Sequence, residues 1–299
     1  MSDTRGADDV LVRGISWGGG LRLFAARTTR LAGELKRRHG TYPTATAALG
    51  RAATAGAMMG AMLKGEEKLT VQVKGDGPLG RIVVDANAKG EVRGYVDNPQ
   101  VDLPPNEQGK LDVAGAVGRS GFLYVVKDLG LKEPYRGSVP IISGELGEDF
   151  TYYFASSEQT PSAVGLGVLV DTDGSVRQAG GFILQLMPGV EEQAIERLER
   201  RLKEMPQLTS LLDRGETPES ILRYLADDDV QILERIPVAF KCNCSRERVE
   251  RTLVSMGEEE LRAMIEEDGR AEVTCHFCNS AYAFDRSQLT RLLEQAKTR

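Results

Sequence analysis

Four cysteines constrain this chain more than any other feature of its sequence. Cys242 and Cys244 form a C-x-C pair, Cys275 and Cys278 form a C-x-x-C pair, and the 299 residues hold no others. Two tight pairs separated by one loop bring four thiolates to a point, which is the ligand set of a structural zinc. In the turn Cys275-His276-Phe277-Cys278, two sulfurs face one ion while backbone N–H groups stabilise their charge. The C-x-C pair is more crowded and harder to satisfy in a rigid knuckle. Four thiolates around Zn²⁺ leave a net charge of about −2, which Lys241, Arg246 and Arg248 are placed to offset in part. Thiolates are also the nucleophiles of redox chemistry, so the cluster reads equally as a clamp or as a switch.

The thiols point to a reducing compartment. Met1 to Asp9 is polar and acidic, without the apolar core of an export signal, so the reading is cytoplasmic. The longest apolar stretch, Thr44 to Leu63, is rich in Ala and Gly and carries Arg51. A span needs about 20 strongly apolar residues, so this is a buried helix and no membrane partner is expected. A net charge of −6 argues against a nucleic-acid partner, which a basic surface would serve. With 41% hydrophobic and 27% charged residues the chain reads as soluble and globular, and its length fits about two domains at roughly 150 residues each.

The fold expected is α+β in three parts: an N-terminal core over 1–189, a charged helical linker over 190–237, and a small C-terminal four-cysteine module over 238–299. In the first part, Leu11 to Ser16 and Leu21 to Arg27 are strands, and Thr28 to His39 is a helix stopped by Gly40. Leu69, Val71 and Val73 alternate with polar residues, which gives a strand with one dry face. Arg81 to Ala86, Glu91 to Asp97, Phe122 to Lys127 and Ser138 to Ser143 follow as strands, and Asp149 to Ser157 as a helix. Ala163 to Asp171 and Ser175 to Met187 pair as a hairpin.

After Pro188-Gly189 the charge density rises and the strand pattern stops. Val190, Ala194, Ile195, Leu198 and Leu202 make a thin helical stripe. Thr217 caps a further helix that begins with Pro218 and carries Ile221, Leu222 and Leu225 on one face. Helices with so little core of their own depend on docking, so they can open locally. In the last part, Ser245 caps a helix to Met256, Glu258 to Glu267 forms another, and Glu272 to Cys275 enters the C-x-x-C turn as a strand. Asp285 with Gln288 starts a final helix as a capping box.

Catalytic constellations are missing from this pattern. There are two histidines. His276 lies between two ligands and reads as exposed, and His39 as a solvated helix cap. Gly165-Leu166-Gly167 lacks the third glycine of a dinucleotide fingerprint and reads as close backbone packing. Asp171, Asp173 and Asp227 to Asp229 read as turn and solvated residues. No catalytic residue is expected, and the chain reads as a binding protein rather than an enzyme.

Cys242-x-Cys244 with Cys275-x-x-Cys278 resembles the redox-regulated bacterial holdase chaperone called the heat-shock protein of thirty-three kilodaltons. Gln159-Thr160-Pro161-Ser162-Ala163-Val164-Gly165-Leu166-Gly167 and Ala179-Gly180-Gly181-Phe182 through Leu186-Met187-Pro188-Gly189 support the resemblance, which covers essentially the whole chain. It implies an ATP-independent holdase that is inactive while reduced and bound to one zinc ion. Oxidative and heat stress then form Cys242–Cys244 and Cys275–Cys278 disulfides, release zinc and unfold module and linker. Dimers bind unfolding client proteins, with hand-over to an ATP-dependent foldase. The candidate client surface is Ile195, Leu198, Leu202, Ile221, Leu222 and Leu225, with whatever undocking uncovers. Two other readings compete: a constitutive zinc-ribbon adaptor with a purely structural zinc, and an enzyme in the N-terminal domain.

Overall fold

A computed structural model describes residues 8–297. Internal contacts divide the chain into two compact units, which meet in sequence at Lys241 and Cys242.

The first unit opens with strands β1 (Val10–Ser16) and β2 (Leu21–Arg27) and helices α1 (Thr29–His39) and α2 (Pro43–Gly60). Strands β3 (Lys68–Gly75), β4 (Arg81–Asn87) and β5 (Glu91–Val96) follow, then a short helix α3 (Val113–Val117). Next come β6 (Gly121–Asp128), β7 (Tyr135–Pro140), α4 (Gly147–Ser156) and the hairpin of β8 (Ser162–Val170) with β9 (Val176–Leu186). Three charged helices, α5 (Glu192–Glu204), α6 (Leu208–Asp213) and α7 (Pro218–Leu225), lead to strands β10 (Gln231–Pro237) and β11 (Ala239–Phe240).

These strands form two sheets, β10-β1-β2-β9-β8 and β11-β5-β4-β3-β6-β7. Helix α2 packs on strands of both. Its Ala53, Ala57 and Gly60 are buried, as its small residues require for so close an approach. Arg51, its one charge, is paired with Glu145 at 2.6 Å. The alternation in β3 resolves as expected, with Leu69, Val71 and Val73 buried beneath α2. Gly40 closes α1 in the left-handed conformation. Gly165 lies under the Phe182 ring, where an added Cβ would come within 2.3 Å of it, so the glycine pair is indeed a packing feature.

The first sheet is dry on both faces. Leu11, Phe24, Ala26 and Ile183 point into the core around α1 and α2. Val12, Leu23, Ala25, Phe182 and Leu184 point the other way and are covered by α5–α7. A sheet face of this composition needs a cover, and the cover is made of helices that would not be stable alone.

Several elements differ from the sequence expectation. The strand expected at Ser138 to Ser143 lies earlier, over Tyr135–Pro140. Pro140 has no N–H with which to continue the ladder. Beyond it, the buried carboxylate of Asp149 gathers the N–H groups of Ile142, Ser143 and Leu146 at 2.8, 2.9 and 2.9 Å, which makes a turn. The helix α3, capped by Asp112 onto Gly115 N at 2.8 Å, and the helix α6 were not anticipated. The segment assigned to the helical linker also ends in a strand. β10 pairs antiparallel with β1 from Val10↔Pro237 to Ile15↔Gln231, with a register shift between Arg13 and Gly14 that leaves Leu233 unpaired. That bulge turns Ile232 toward the linker helices and Ile236 toward the α2 core.

The second unit holds α8 (Arg246–Met256), α9 (Glu258–Glu267), the hairpin β12 (Arg270–Thr274) with β13 (Ala281–Asp285), and α10 (Arg286–Lys297). Its core is small: Leu253, Leu261, Phe284, Leu289, Leu292 and Leu293. The caps fall where the sequence places them. Ser245 Oγ accepts from Arg248 N at 3.3 Å, and Asp285 and Gln288 exchange bonds of 2.8 and 3.0 Å.

Candidate metal and redox centre

All four cysteine sulfurs converge within 4.8 Å of one another, and all four are free thiols. Cys242 and Cys244 stand on the strap that enters α8. Cys275 and Cys278 stand on the turn between β12 and β13. Asn279 holds that turn in the left-handed conformation, with its N–H on Cys275 O at 2.8 Å, and Cys275 N donates to Ser280 O at 3.0 Å.

Sulfurs of different motifs stand close together. Cys242 lies 3.7 Å from Cys275, and Cys244 lies 3.2 Å from Cys278. Sulfurs bound at about 2.3 Å to one tetrahedral ion are separated by about 3.8 Å. The donor set and its spacing therefore fit a single metal ion held by all four thiolates.

Two side chains that sequence reasoning left out of the site touch it. Tyr282 OH donates to Cys244 Sγ at 3.1 Å, and Ser280 Oγ lies 3.3 Å from Cys278 Sγ. Alternation along β13 was the available signal, since Tyr282 and Phe284 share a face. His276 is exposed, as expected. Two of the expected counter-charges have other work. Arg246 lies over the Phe284 ring at 4.4 Å and donates to Ala283 O at 2.9 Å, which ties α8 to β13. Lys241 pairs with Glu91.

Without a metal, the sulfurs titrate unequally. Burial pushes the Cys244 thiol up to about 12, against the Tyr282 hydrogen bond. Burial also raises Cys275. At Cys278 burial is outweighed by hydrogen bonds with Ser280 and Cys244, and the thiol falls to about 6. The hydrogen bond to Cys244 lifts the Tyr282 hydroxyl to about 12. The cluster thus yields one thiolate readily and resists the next, as closely spaced like charges must. A divalent ion held by the four sulfurs would remove that resistance.

The candidate client residues all lie on the linker helices. Leu198, Ile221, Leu222 and Leu225 are buried against the first sheet, and Ile195 and Leu202 are half-buried. Ile195, Leu198 and Leu202 line an open groove of about 210 Å³ with Ala163, Leu184 and Leu186. Asp227 and Asp229, expected to be solvated, instead fasten this layer. Arg201 on α5 donates to Tyr224 O and pairs with Asp227, and Asp229 accepts from Trp17 N at 3.0 Å and Ser16 Oγ at 3.2 Å. Among the described residues no helix is long and apolar enough to cross a membrane.

Comparison with known proteins gives one answer. The family profile described as Hsp33 protein matches residues 9–285. A 33 kDa chaperonin of Geobacillus kaustophilus is 58% identical over 97% of this chain and 99% of its own. A 33 kDa chaperonin of Bacillus subtilis is 55% identical over 96% of this chain and 99% of its own. The crystal structure of a 33 kDa chaperonin, a heat shock protein 33 homologue from Thermotoga maritima, superimposes with a TM-score of 0.91 at 38% identity. That match covers 98% of this chain and 99% of the other.

Proposed function

The chain belongs to the Hsp33 family and so to a family of chaperones, and on that basis we propose that it is an ATP-independent holdase switched by oxidation of its cysteine centre. The observation that carries the reading is the convergence of four free thiols in a unit whose own core is six side chains. In a unit this small, a bound metal supplies much of the folding free energy. The ion is Zn²⁺, for which four thiolates in a tetrahedral set are a preferred site. When bound, it holds the four sulfurs as thiolates and clamps the strap at Cys242 and Cys244 to the β12–β13 turn.

Oxidation closes Cys242–Cys244 and Cys275–Cys278. Each disulfide forms as two thiolates give two electrons to hydrogen peroxide, which takes up two protons from solvent and leaves as two waters, and the ligand set disappears. Short loops close at small entropic cost, which favours pairing within each motif. The unit around the centre then loses its stabiliser, and the linker helices leave the first sheet. Ile195, Leu198, Leu202, Ile221, Leu222 and Leu225 come into water together with Val12, Leu23, Phe182 and Leu184, and a continuous apolar surface is available to unfolding clients. The oxidised protein works as a homodimer in the cytoplasm and passes clients to an ATP-dependent foldase. The domains of this switch are 1–189, 190–237 and 238–299, although β10 belongs by pairing to the first sheet.

The test is an aggregation assay with a thermally unfolding client, comparing reduced, zinc-loaded protein with peroxide-treated protein. Suppression by the oxidised form alone is expected. Equal suppression by both would favour a constitutive binding protein with a structural metal.

A further inference from the structure

We infer that the edge of β1 covered by β10 is a client site, and that it takes an extended segment of an unfolded protein by strand addition. The inference rests on the holdase reading above.

β10 is held to β1 by its backbone more than by its side chains. Of its seven residues only Ile236 is buried, Ile232 is half-buried, and the other five are exposed. Its ladder is broken by the bulge at Leu233, whose side chain is 45% exposed. An edge that accepts a strand with so little side-chain selection is suited to many sequences, because main-chain hydrogen bonds are common to all of them. A regular client strand would pair without the break.

Besides its ladder, a 2.7 Å pair of Arg235 with Glu219 of α7 and a 3.8 Å pair of Glu234 with Arg13, the occupant is fastened at its ends. Before β10, Asp229 is tied to Ser16 and Trp17. After it, Ala239 N donates to Gly90 O at 3.0 Å, Lys241 N donates to Val92 O at 2.9 Å, and Lys241 pairs with Glu91. The next residue is Cys242, the first thiol of the centre. A chain that loosens at Cys242 frees the β11 end of β10, and a linker that undocks frees the Asp229 end. β1 itself stays in place, because Leu11 is fully buried in the α2 core, which the linker helices do not cover, and β2 pairs along its whole length. What remains is an unpaired edge in a folded sheet, beside the apolar face that α5–α7 have left. Extended chains aggregate by adding to such edges, and capture there would block that route.

Peptide-level amide exchange decides the matter in three samples: reduced zinc-loaded protein, oxidised protein, and oxidised protein saturated with reduced, carboxymethylated α-lactalbumin, a permanently unfolded chain. Gel filtration of the third sample confirms the complex. We expect amides of β1 to exchange at least tenfold faster after oxidation and to recover at least half of that protection in the complex. β10 should remain unprotected, and β2 should stay protected throughout. Protection of β1 unchanged by oxidation would overturn the inference, and so would β1 exposed equally with and without client. Renewed protection of β10 would show the edge reoccupied by its own strand and would also overturn it. Absence of a complex on gel filtration would instead count against the holdase reading itself.

Discussion

Replacing Leu222 by Ala should open the linker without touching a cysteine. Leu222 is fully buried, packed among Leu198, Leu208, Leu212, Ile221 and Leu225 against the Val12, Leu23 and Phe182 face of the first sheet. Removing three carbons from such a site costs about 3 kcal/mol when the surroundings relax only in part. Helix α7 is eight residues long, too short to persist in water undocked, so the loss falls on the docking equilibrium. At about 1.4 kcal/mol per decade, the open fraction of the linker rises roughly 100-fold in reduced, metal-bound protein. Amide exchange of 218–225 should accelerate by that factor, while 43–60 in α2 stays near its original rate. Trp17, the single tryptophan, packs at the margin of the same cluster, so its emission should shift to the red in the variant when warmed. Unchanged exchange in α7 would refute the argument. Equal acceleration of α7 and α2 would refute it too, because the linker would then open only with the whole unit.

Four further outcomes follow from the same geometry. Reduced protein should bind one zinc ion, and Cys→Ser changes at all four positions should abolish it and unfold the second unit, read by metal analysis and amide exchange over 246–297. Peptide mapping after peroxide should find Cys242–Cys244 and Cys275–Cys278; a dominant Cys242–Cys275 or Cys244–Cys278 product would exclude that pairing. Oxidised protein carrying Leu198→Ser and Leu222→Ser should lose most of its ability to suppress aggregation, and full retention would move client binding off the linker helices. Burial raises the Asp9 carboxyl from 3.8 to about 6, against hydrogen bonds from Leu31 and Arg30 N–H. The folded state then holds a proton that the unfolded chain has lost, so this group's contribution to stability grows as pH falls from about 6 to about 4, by up to about 3 kcal/mol. Urea unfolding of Asp9→Asn should lose that component, so its stability falls more steeply than the parent's between pH 6.5 and 4.5; parallel curves would be the contrary result.

What the sequence made legible was local. Ser245, Thr217-Pro218 and the Asp285/Gln288 pair act within one turn of their helices, so their spacing alone places the helix starts. The four clustered cysteines were legible for the same reason, since each pair is a short motif. What the sequence hid depends on partners far along the chain. β10 carries Glu234 and Arg235 in adjacent positions and a bulge that changes its phase, so no period of two survives. Only the edge of β1 makes it a strand. Asp229 reads as a solvated turn residue until Ser16 and Trp17 are brought beside it. Within the centre, the motifs name the sulfurs but not their neighbours. Cys242 stands 3.7 Å from Cys275, and Cys244 3.2 Å from Cys278. Proximity in the reduced cluster thus permits crossed bonds, while loop closure favours bonds within each motif. The two tendencies act at different times. Crossed bonds require the folded turn between β12 and β13, whereas closure within a motif survives its melting. The products of oxidation therefore report whether the second unit unfolds before or after its thiols are joined.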